Sequence, residues 1–410
     1  MDSVSVRGID RRRLIGWGGL AAIGAPFAGA GPGQAGSAGP ERIPPDTRPG
    51  GAYDRYVAQL AAEGRFSGVV LLSHRGRTVL SRSYGMADRE KGVRNHAGIA
   101  VSLSSAAKPF CAVAILQLVQ QGRVRLTDTV GTYLTGFPAE IADHVTIHHM
   151  LSDTSGLHTP AQDLQRIFHS REEVHDYHEQ WTRQATLVAA PGTGTDGHSG
   201  ANFAIPAQIV EAVTGMTYWD YVEENIFRRA GMSGSGFYTR PQWLTDPHIA
   251  HSYLRQADGS LVDAVRNLDK GSPDEYQLGK NPARSFIDYD GFATAPDLVR
   301  FAHAIYDGRV LERPYGEVLT AAKIPHGPQS EGGRAASVET SFGAYSMAVS
   351  IHQGQWLYGR AGVNPGSAAN WNIYPHTGWV GVILSNSDDG PLREILEQEL
   401  RAVTGAQAGA

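Results

Sequence analysis

Val101-Ser102-Leu103-Ser104-Ser105-Ala106-Ala107-Lys108-Pro109-Phe110 is the stretch that decides how the rest of the chain reads. It carries Ser-x-x-Lys, at Ser105 and Lys108. An apolar run over 110–119 follows, closed by Gly122. The run is apolar on all sides, so it predicts a buried helix ending at Gly122. Ser105 falls in the first turn of that helix. Positions three apart share a helix face, so the hydroxyl and the amine can meet. A serine hydroxyl is a poor nucleophile without an adjacent base. A lysine in an apolar site near a helix N-terminus has its charged form disfavoured and can act as a neutral amine. The unpaired N–H groups of the first turn offer an oxyanion site. Pro109 removes one helical hydrogen bond, which only the first turn tolerates. Taken alone, Ser-x-x-Lys is a common pattern, and an N-cap serine beside a surface lysine would explain it equally well.

Composition narrows the classes. The chain has 410 residues, 41% hydrophobic and 19% charged, enough for one large domain or two ordinary ones. The net charge of -5 is spread without long runs, and no basic patch is interleaved with aromatics, which argues against a nucleic acid partner. The single cysteine, Cys111, lies in the apolar run, so no internal disulfide exists, and it reads as a small core residue. The sixteen histidines show no His-Glu-x-x-His spacing, and there is no cysteine pair. His148-His149, His175 and His178 read as surface or packing residues.

Residues 1–30 read as an export signal. Arg11-Arg12-Arg13 precede a Gly/Ala-rich apolar run over 14–28, and Ala28-Gly29-Ala30 fits a small-x-small cleavage site. The run is too short for a stable membrane anchor. The segment from Asp10 to Ile15 resembles a twin-arginine signal, which implies a periplasmic or extracellular destination. Residues 31–50, rich in Gly, Pro and Ala, read as a flexible linker. The domain is then expected over 51–405. It opens with a helix from Tyr53 to about Glu63, followed by a hairpin of strands 67–73 and 78–84 around His74-Arg75-Gly76-Arg77. Short helices are expected over 145–151, capped by Thr146, over 205–213, closed by Gly215, over 220–230 and over 297–306. Residues 163–188 read as mostly helical, and 240–285 as loops. Strand patterns return over 344–352, 356–359, 368–374 and 378–385, before a last helix over 391–403. Strands at both ends with helices between predict one α+β unit: an antiparallel sheet flanked by helices, with an inserted helical half.

Several segments, in order, resemble the serine β-lactamase family in its broad sense: class C β-lactamases, D,D-peptidases and related esterases. They are Ser67-Gly68-Val69-Val70-Leu71, Ser105-Ala106-Ala107-Lys108, Ala114-Ile115-Leu116-Gln117-Leu118, Thr154-Ser155-Gly156-Leu157, the segment from Asp290 to Leu298, and Ser385-Asn386. The likeness covers roughly residues 53–402 and implies the β-lactamase/transpeptidase fold. It also implies a nucleophile at Ser105 and its base at Lys108, with no metal or organic cofactor.

Two departures stand out. Where the family commonly has Tyr-x-Asn or Tyr-Ser-Gly, this chain has His198-Ser199-Gly200. Where the family has Lys-Thr-Gly or His-x-Gly on a strand, this chain has Arg360-Ala361-Gly362. An imidazole suits proton relay near neutral pH. An arginine clamps a carboxylate or phosphate but cannot give up its proton. The expected activity is therefore that of an exported serine hydrolase acting on an ester or amide of a small molecule or peptide. Ser105, Lys108 and His198 carry the chemistry. Gly200, Arg360, Ala361 and Gly362 line the substrate site, and the backbone near Ala361–Gly362 completes the oxyanion hole. The altered motifs also admit an acyltransferase of natural-product metabolism, or a descendant that uses the pocket for binding alone.

Overall fold

Strands covered on both faces are buried along their length instead of at alternate residues, and this chain has three of them. β1 (Gly68–His74) is buried through its first six residues. Later, β7 (Ser367–Tyr374) and β8 (Trp379–Ser385) are buried throughout. The structure is a computed structural model and describes residues 43–162, 166, 168, 170–193, 199–267, 291–326, 340–352, 354–388 and 390–405. The expected signal segment, and the linker as far as residue 42, lie outside the described residues.

The three strands sit within one eight-stranded antiparallel sheet. Its other members are β2 (Arg77–Tyr84), β3 (Ile324–Pro325), β4 (Thr340–Gly343), β5 (Ala348–His352) and β6 (Gln355–Asn364). The spatial order is β3-β4-β5-β6-β7-β8-β1-β2, so strands from the two ends of the chain meet where β8 pairs with β1, Gly68 opposite Ser385. One face of the sheet, including Val70, Leu72, Tyr374 and Ile383, packs on α1 (Ala52–Ala62) and α8 (Leu392–Thr404). The other face, including Val69, Leu71, Trp371 and Val382, packs on the helical part of the chain. At the centre of that part is α2 (Lys108–Gln120), buried from Pro109 to Leu118. Phe110 stands edge-on to Phe227 and Phe301, with centroids 5.0 and 4.8 Å away. Cys111 is buried beside it, and burial pushes its thiol up to about 12. Around α2 lie α3 (Ile147–Leu151), α4 (Arg171–Thr182), α5 (Ala201–Thr214), α6 (Ala295–Tyr306) and α7 (Arg313–Thr320). No helix among the described residues is long and apolar enough to cross a membrane.

Several boundaries differ from the sequence reading. Residues 43–50 belong to the folded unit. Pro44 and Pro45 preset a 3-10 turn over Pro45–Thr47, Thr47 is fully buried, and Ile43 packs on the α1/α8 core. Ser105 precedes α2 instead of starting it. It lies in a 3-10 turn, Ser104–Ala107, and Pro109 takes the early helical position that needs no donor. The helix expected over 220–230 is interrupted by a π turn at Glu223–Phe227, whose Asn225 carbonyl accepts from Gln117 Nε2 at 3.0 Å. The strand expected to stop at residue 359 runs on to Asn364. Residues 240–267, expected as loop, contain a short helix, Arg240–Thr245, and a hairpin of Tyr253–Arg255 with Leu261–Asp263.

Candidate active site

The turn that carries Ser105 is fastened to β6 along its length. Gly362 lies so close that a Cβ there would stand 2.2 Å from Leu103 O and 2.7 Å from Ser105 N. Only glycine permits that approach. Ser104 Oγ donates to Val363 O (3.0 Å), Trp371 Nε1 donates to Ala106 O (2.9 Å), and Asn364 Nδ2 donates to Ser102 Oγ (3.0 Å). On the other side, Leu103 N donates to Gly291 O at 3.1 Å. Ser104 itself sits at φ 48, in the left-handed region, a strain that the surrounding bonds hold in place. Ser105 is half-buried at the tip of this turn.

Lys108 follows one turn later, at the start of α2. Its Nζ lies 4.0 Å from the centroid of the Phe203 ring, at the start of α5. The amine end of Lys108 therefore stands over an aromatic face, in a cation–π contact that fixes its position beside the Ser105 turn.

β5 pairs with β6 only as far as Gly359, opposite Ala348. Beyond it, residues 360–364 keep their ladder to β7 and leave their other edge open beside the Ser105 turn. An open strand edge presents backbone N–H and C=O groups to a ligand. The N–H of Ser105, in the first turn and without an intrahelical acceptor, and that edge form the two sides of a possible oxyanion pocket.

Arg360, Gly362 and Asn364 alternate onto the face of β6 that meets the turn. Arg360 is half-buried there, opposite Trp371. Burial holds its guanidinium below the ordinary arginine pKa, while the charge of Asp153 pulls the other way. Asp153 is held at φ 56, and its Oδ1 accepts from Asn202 Nδ2 at 2.9 Å. Asn202 Oδ1 in turn accepts from Ser155 Oγ at 2.6 Å, and Ser155 Oγ accepts from Leu157 N at 3.1 Å. The loop 152–157 and the first turn of α5 are thus locked together beside Arg360.

The expected residues fare differently. Ser105, Lys108, Arg360 and Gly362 are placed around one turn and one strand. Ala361 is exposed on the opposite face of β6. Gly200 precedes α5, and a Cβ there would run into the Trp181 ring at 2.7 Å, so its small size serves packing. His198 lies outside the described residues. Sequence reasoning overlooked Phe203, Asp153 and Asn202. All three fall beside segments already singled out, but nothing in their spacing ties them to Lys108 or Arg360. Away from this site, His175, Asp176 and Glu179 stand close enough to share a cation. His175 is already bonded to Glu211 (3.0 Å) and Glu179 to Arg183 (3.0 Å).

Comparison with known proteins places the chain in a family. The family model described as Beta-lactamase matches residues 53–406. The chain is 27% identical over 261 residues to penicillin-binding protein 4* of Bacillus subtilis, covering 60% of this chain and 54% of that one. It is 31% identical over 199 residues to esterase EstB of Burkholderia gladioli, covering 45% of this chain and 50% of that one. The chain thus spans about half the length of these curated relatives. Its fold is similar to the crystal structure of a penicillin-binding protein from Bacillus halodurans, with TM-score 0.66 and 23% identity over 84% of this chain and 98% of the other.

Proposed function

The chain belongs to the β-lactamase family, whose members are serine hydrolases, and we propose that it cleaves an ester or amide through an acyl-enzyme on Ser105. The observation that carries this reading is the fastening of the Ser105 turn to the open edge of β6, with Lys108 one turn away against Phe203. Lys108, as a neutral amine, takes the proton of Ser105 Oγ while the oxygen attacks the carbonyl carbon. The carbonyl oxygen gains charge between Ser105 N–H and the β6 edge. The scissile bond breaks and the leaving group departs with the proton that Lys108 took. Water then attacks the acyl-enzyme, Lys108 takes a proton from it and returns that proton to Ser105 Oγ as the acyl–Oγ bond breaks, and the acid is released. His198 takes the proton-relay role in this proposal.

Arg360 sets the substrate class. A half-buried guanidinium beside Asp153 is only partly compensated, and an anionic group on the substrate would complete it. The preferred substrate is therefore an ester or amide that carries a carboxylate or another anionic group near the scissile bond. We further propose export by the twin-arginine route, on the strength of the 10–30 segment.

Intact-mass measurement after incubation with a fluorophosphonate and with activated esters tests the central step. One covalent adduct is expected on the wild-type chain and none on Ser105→Ala. An adduct that persists in Ser105→Ala, or no adduct with any probe, would sink the reading. Cell fractionation of Arg11→Lys with Arg12→Lys tests export: the paired change should leave the chain in the cytoplasm.

A further inference from the structure

A second cleft, of about 590 Å³, opens at the far end of the sheet from Ser105. It lies between two hairpin turns and the C-terminal half of α6. Gly362, at the Ser105 turn, pairs with Ala369, and the cleft is reached at Tyr374, five residues further along β7, or about 17 Å away. It is therefore not an extension of the site already described.

Its charged lining is mostly cationic. Arg75, Arg300 and Arg309 contribute three guanidinium groups against one carboxylate, Asp307. Val299 and Val380 give it an apolar floor. Arg300 is steadied by Asp297 (2.5 Å) and stays half exposed. Arg309 Nη1 donates to Ala230 O at 3.2 Å, and its Nη2 makes a loose ion pair with Asp307 at 3.5 Å. His303 lies between Arg300 and Asp307 on the same helix face. Its Nε2 is buried and has no hydrogen-bond partner among the described residues. Burial lowers the pKa of this ring, with Asp307 and Arg309 acting in opposite senses.

The rim adds an independent observation. Arg75 and Gly76 are the two residues of the β1–β2 turn, since His74 pairs with Arg77. Both have positive φ, 48 and 78, the pattern of a type I′ turn. That turn favours Asn, Asp or Gly in its first position, and an arginine there is strained. The strained residue is nonetheless held firmly. Its N donates to Gly378 O at 2.8 Å, and its Cγ lies where a Cβ on Gly378 would come within 2.9 Å. Gly76 lies over His303 Nε2: a Cβ there would stand 3.8 Å from it, in ordinary contact, so the turn covers the buried nitrogen.

We propose that this cleft binds a small phosphate monoester, with its phosphate held by Arg75, Arg300 and Arg309 and its apolar body on the Val299/Val380 floor. Three guanidinium groups match a dianionic group with three outer oxygens. The volume exceeds that of a bare phosphate, which is why an organic body is assigned. The proposal does not depend on the chemistry at Ser105.

Calorimetric titration of the full chain at low salt, with phenyl phosphate, inorganic phosphate and benzoate, tests it. Phenyl phosphate should bind saturably and more tightly than either control. Arg75→Asn, the residue that the turn prefers, should raise the melting temperature while weakening phenyl phosphate at least about fivefold. Arg309→Gln should weaken it similarly. Fluorophosphonate labelling of Ser105 should be unchanged in Arg75→Asn. No saturable heat up to about 10 mM, equal affinity for benzoate, or undiminished affinity in both arginine variants would overturn the proposal.

Discussion

Trp371 and Asn372 are neighbours on β7, and the two faces they look onto accommodate a buried ionisable group in opposite ways. On the Trp371 face, Arg360 keeps its charge. It cannot lose its proton in the accessible range, so it is placed beside Asp153 at a face open to the substrate site. On the Asn372 face, Glu399 of α8 is fully buried under the sheet. Its Oε1 accepts from Asn372 Nδ2 (3.2 Å) and from Tyr374 Oη (3.0 Å), and its Oε2 has no partner among the described residues. Burial pushes this carboxyl up to about 7, so below neutrality it is held as the neutral acid. One sheet thus retains a charge where a ligand can reach it and discharges one where none can. Front-face substitutions should change rate and leave stability nearly alone, and back-face substitutions should do the reverse.

The largest expected effect tests the front. Ser105→Ala should abolish turnover, a loss of at least about a thousandfold, while the urea midpoint moves by less than the equivalent of about 0.5 kcal/mol. A large stability loss would mean that the strained turn depends on the hydroxyl and would blur the division. Lys108→Ala should lower kcat by roughly a hundredfold to ten-thousandfold. Lys108→Arg should restore little of it, because a guanidinium cannot serve as a base. A fully active arginine variant would remove Lys108 from the proton transfer.

Glu399→Gln tests the back. The folded state raises this carboxyl from its ordinary 4.5 to about 7. Its contribution is therefore fully present below pH 4.5 and declines as pH rises toward 7, by up to about 3 kcal/mol in total. Urea unfolding at pH 5 and pH 8 should show that slope in the wild type. Glu399→Gln should flatten it, gaining most at pH 8, with kcat/KM unchanged. A wild-type profile that is flat across this window would refute the neutral-acid assignment. The smallest effect is at Arg360. Arg360→Gln should raise KM about tenfold for a carboxylate-bearing ester and hardly change it for the neutral analogue. Asp153→Asn should shift KM the other way, by a few-fold. Equal losses on charged and neutral esters would assign Arg360 to packing.

Much of the front was legible because local chemistry dictates it. Ser105 and Lys108 share a turn by spacing alone. Thr146 caps α3 as expected, accepting from His149 N at 3.2 Å, and Gly215 ends α5 in the left-handed region. The full length of β6 was not legible, because Gly359 and Gly362 carry no strand preference. They are glycines for tertiary reasons: a Cβ at Gly359 would stand 2.0 Å from Trp371 O, and one at Gly362 would strike the nucleophile turn. α7 was passed over because Gly316 interrupts its pattern, yet Gly316 is buried in the helix. The pairing of Asp153 with Asn202 joins residues 49 apart in sequence, and no periodicity reports such a contact. Glu399 was invisible for a related reason. In the amphipathic helix α8 a glutamate reads as solvent-facing, and only the sheet laid over it shows otherwise.

Cys111 gives the molecule a built-in clock. It is the only thiol in the chain, it lies in a helix buried from Pro109 to Leu118, and burial keeps it protonated at working pH. A thiol reagent can reach it only when the packing around α2 opens. The rate of its modification in native buffer therefore reports the opening of the core, as an opening rate at saturating reagent and as the open population at low reagent, without denaturant and without substrate. The same silence means that a cysteine introduced at the protein surface would be labelled alone, so the two clefts can each carry a reporter with no background from the native chain.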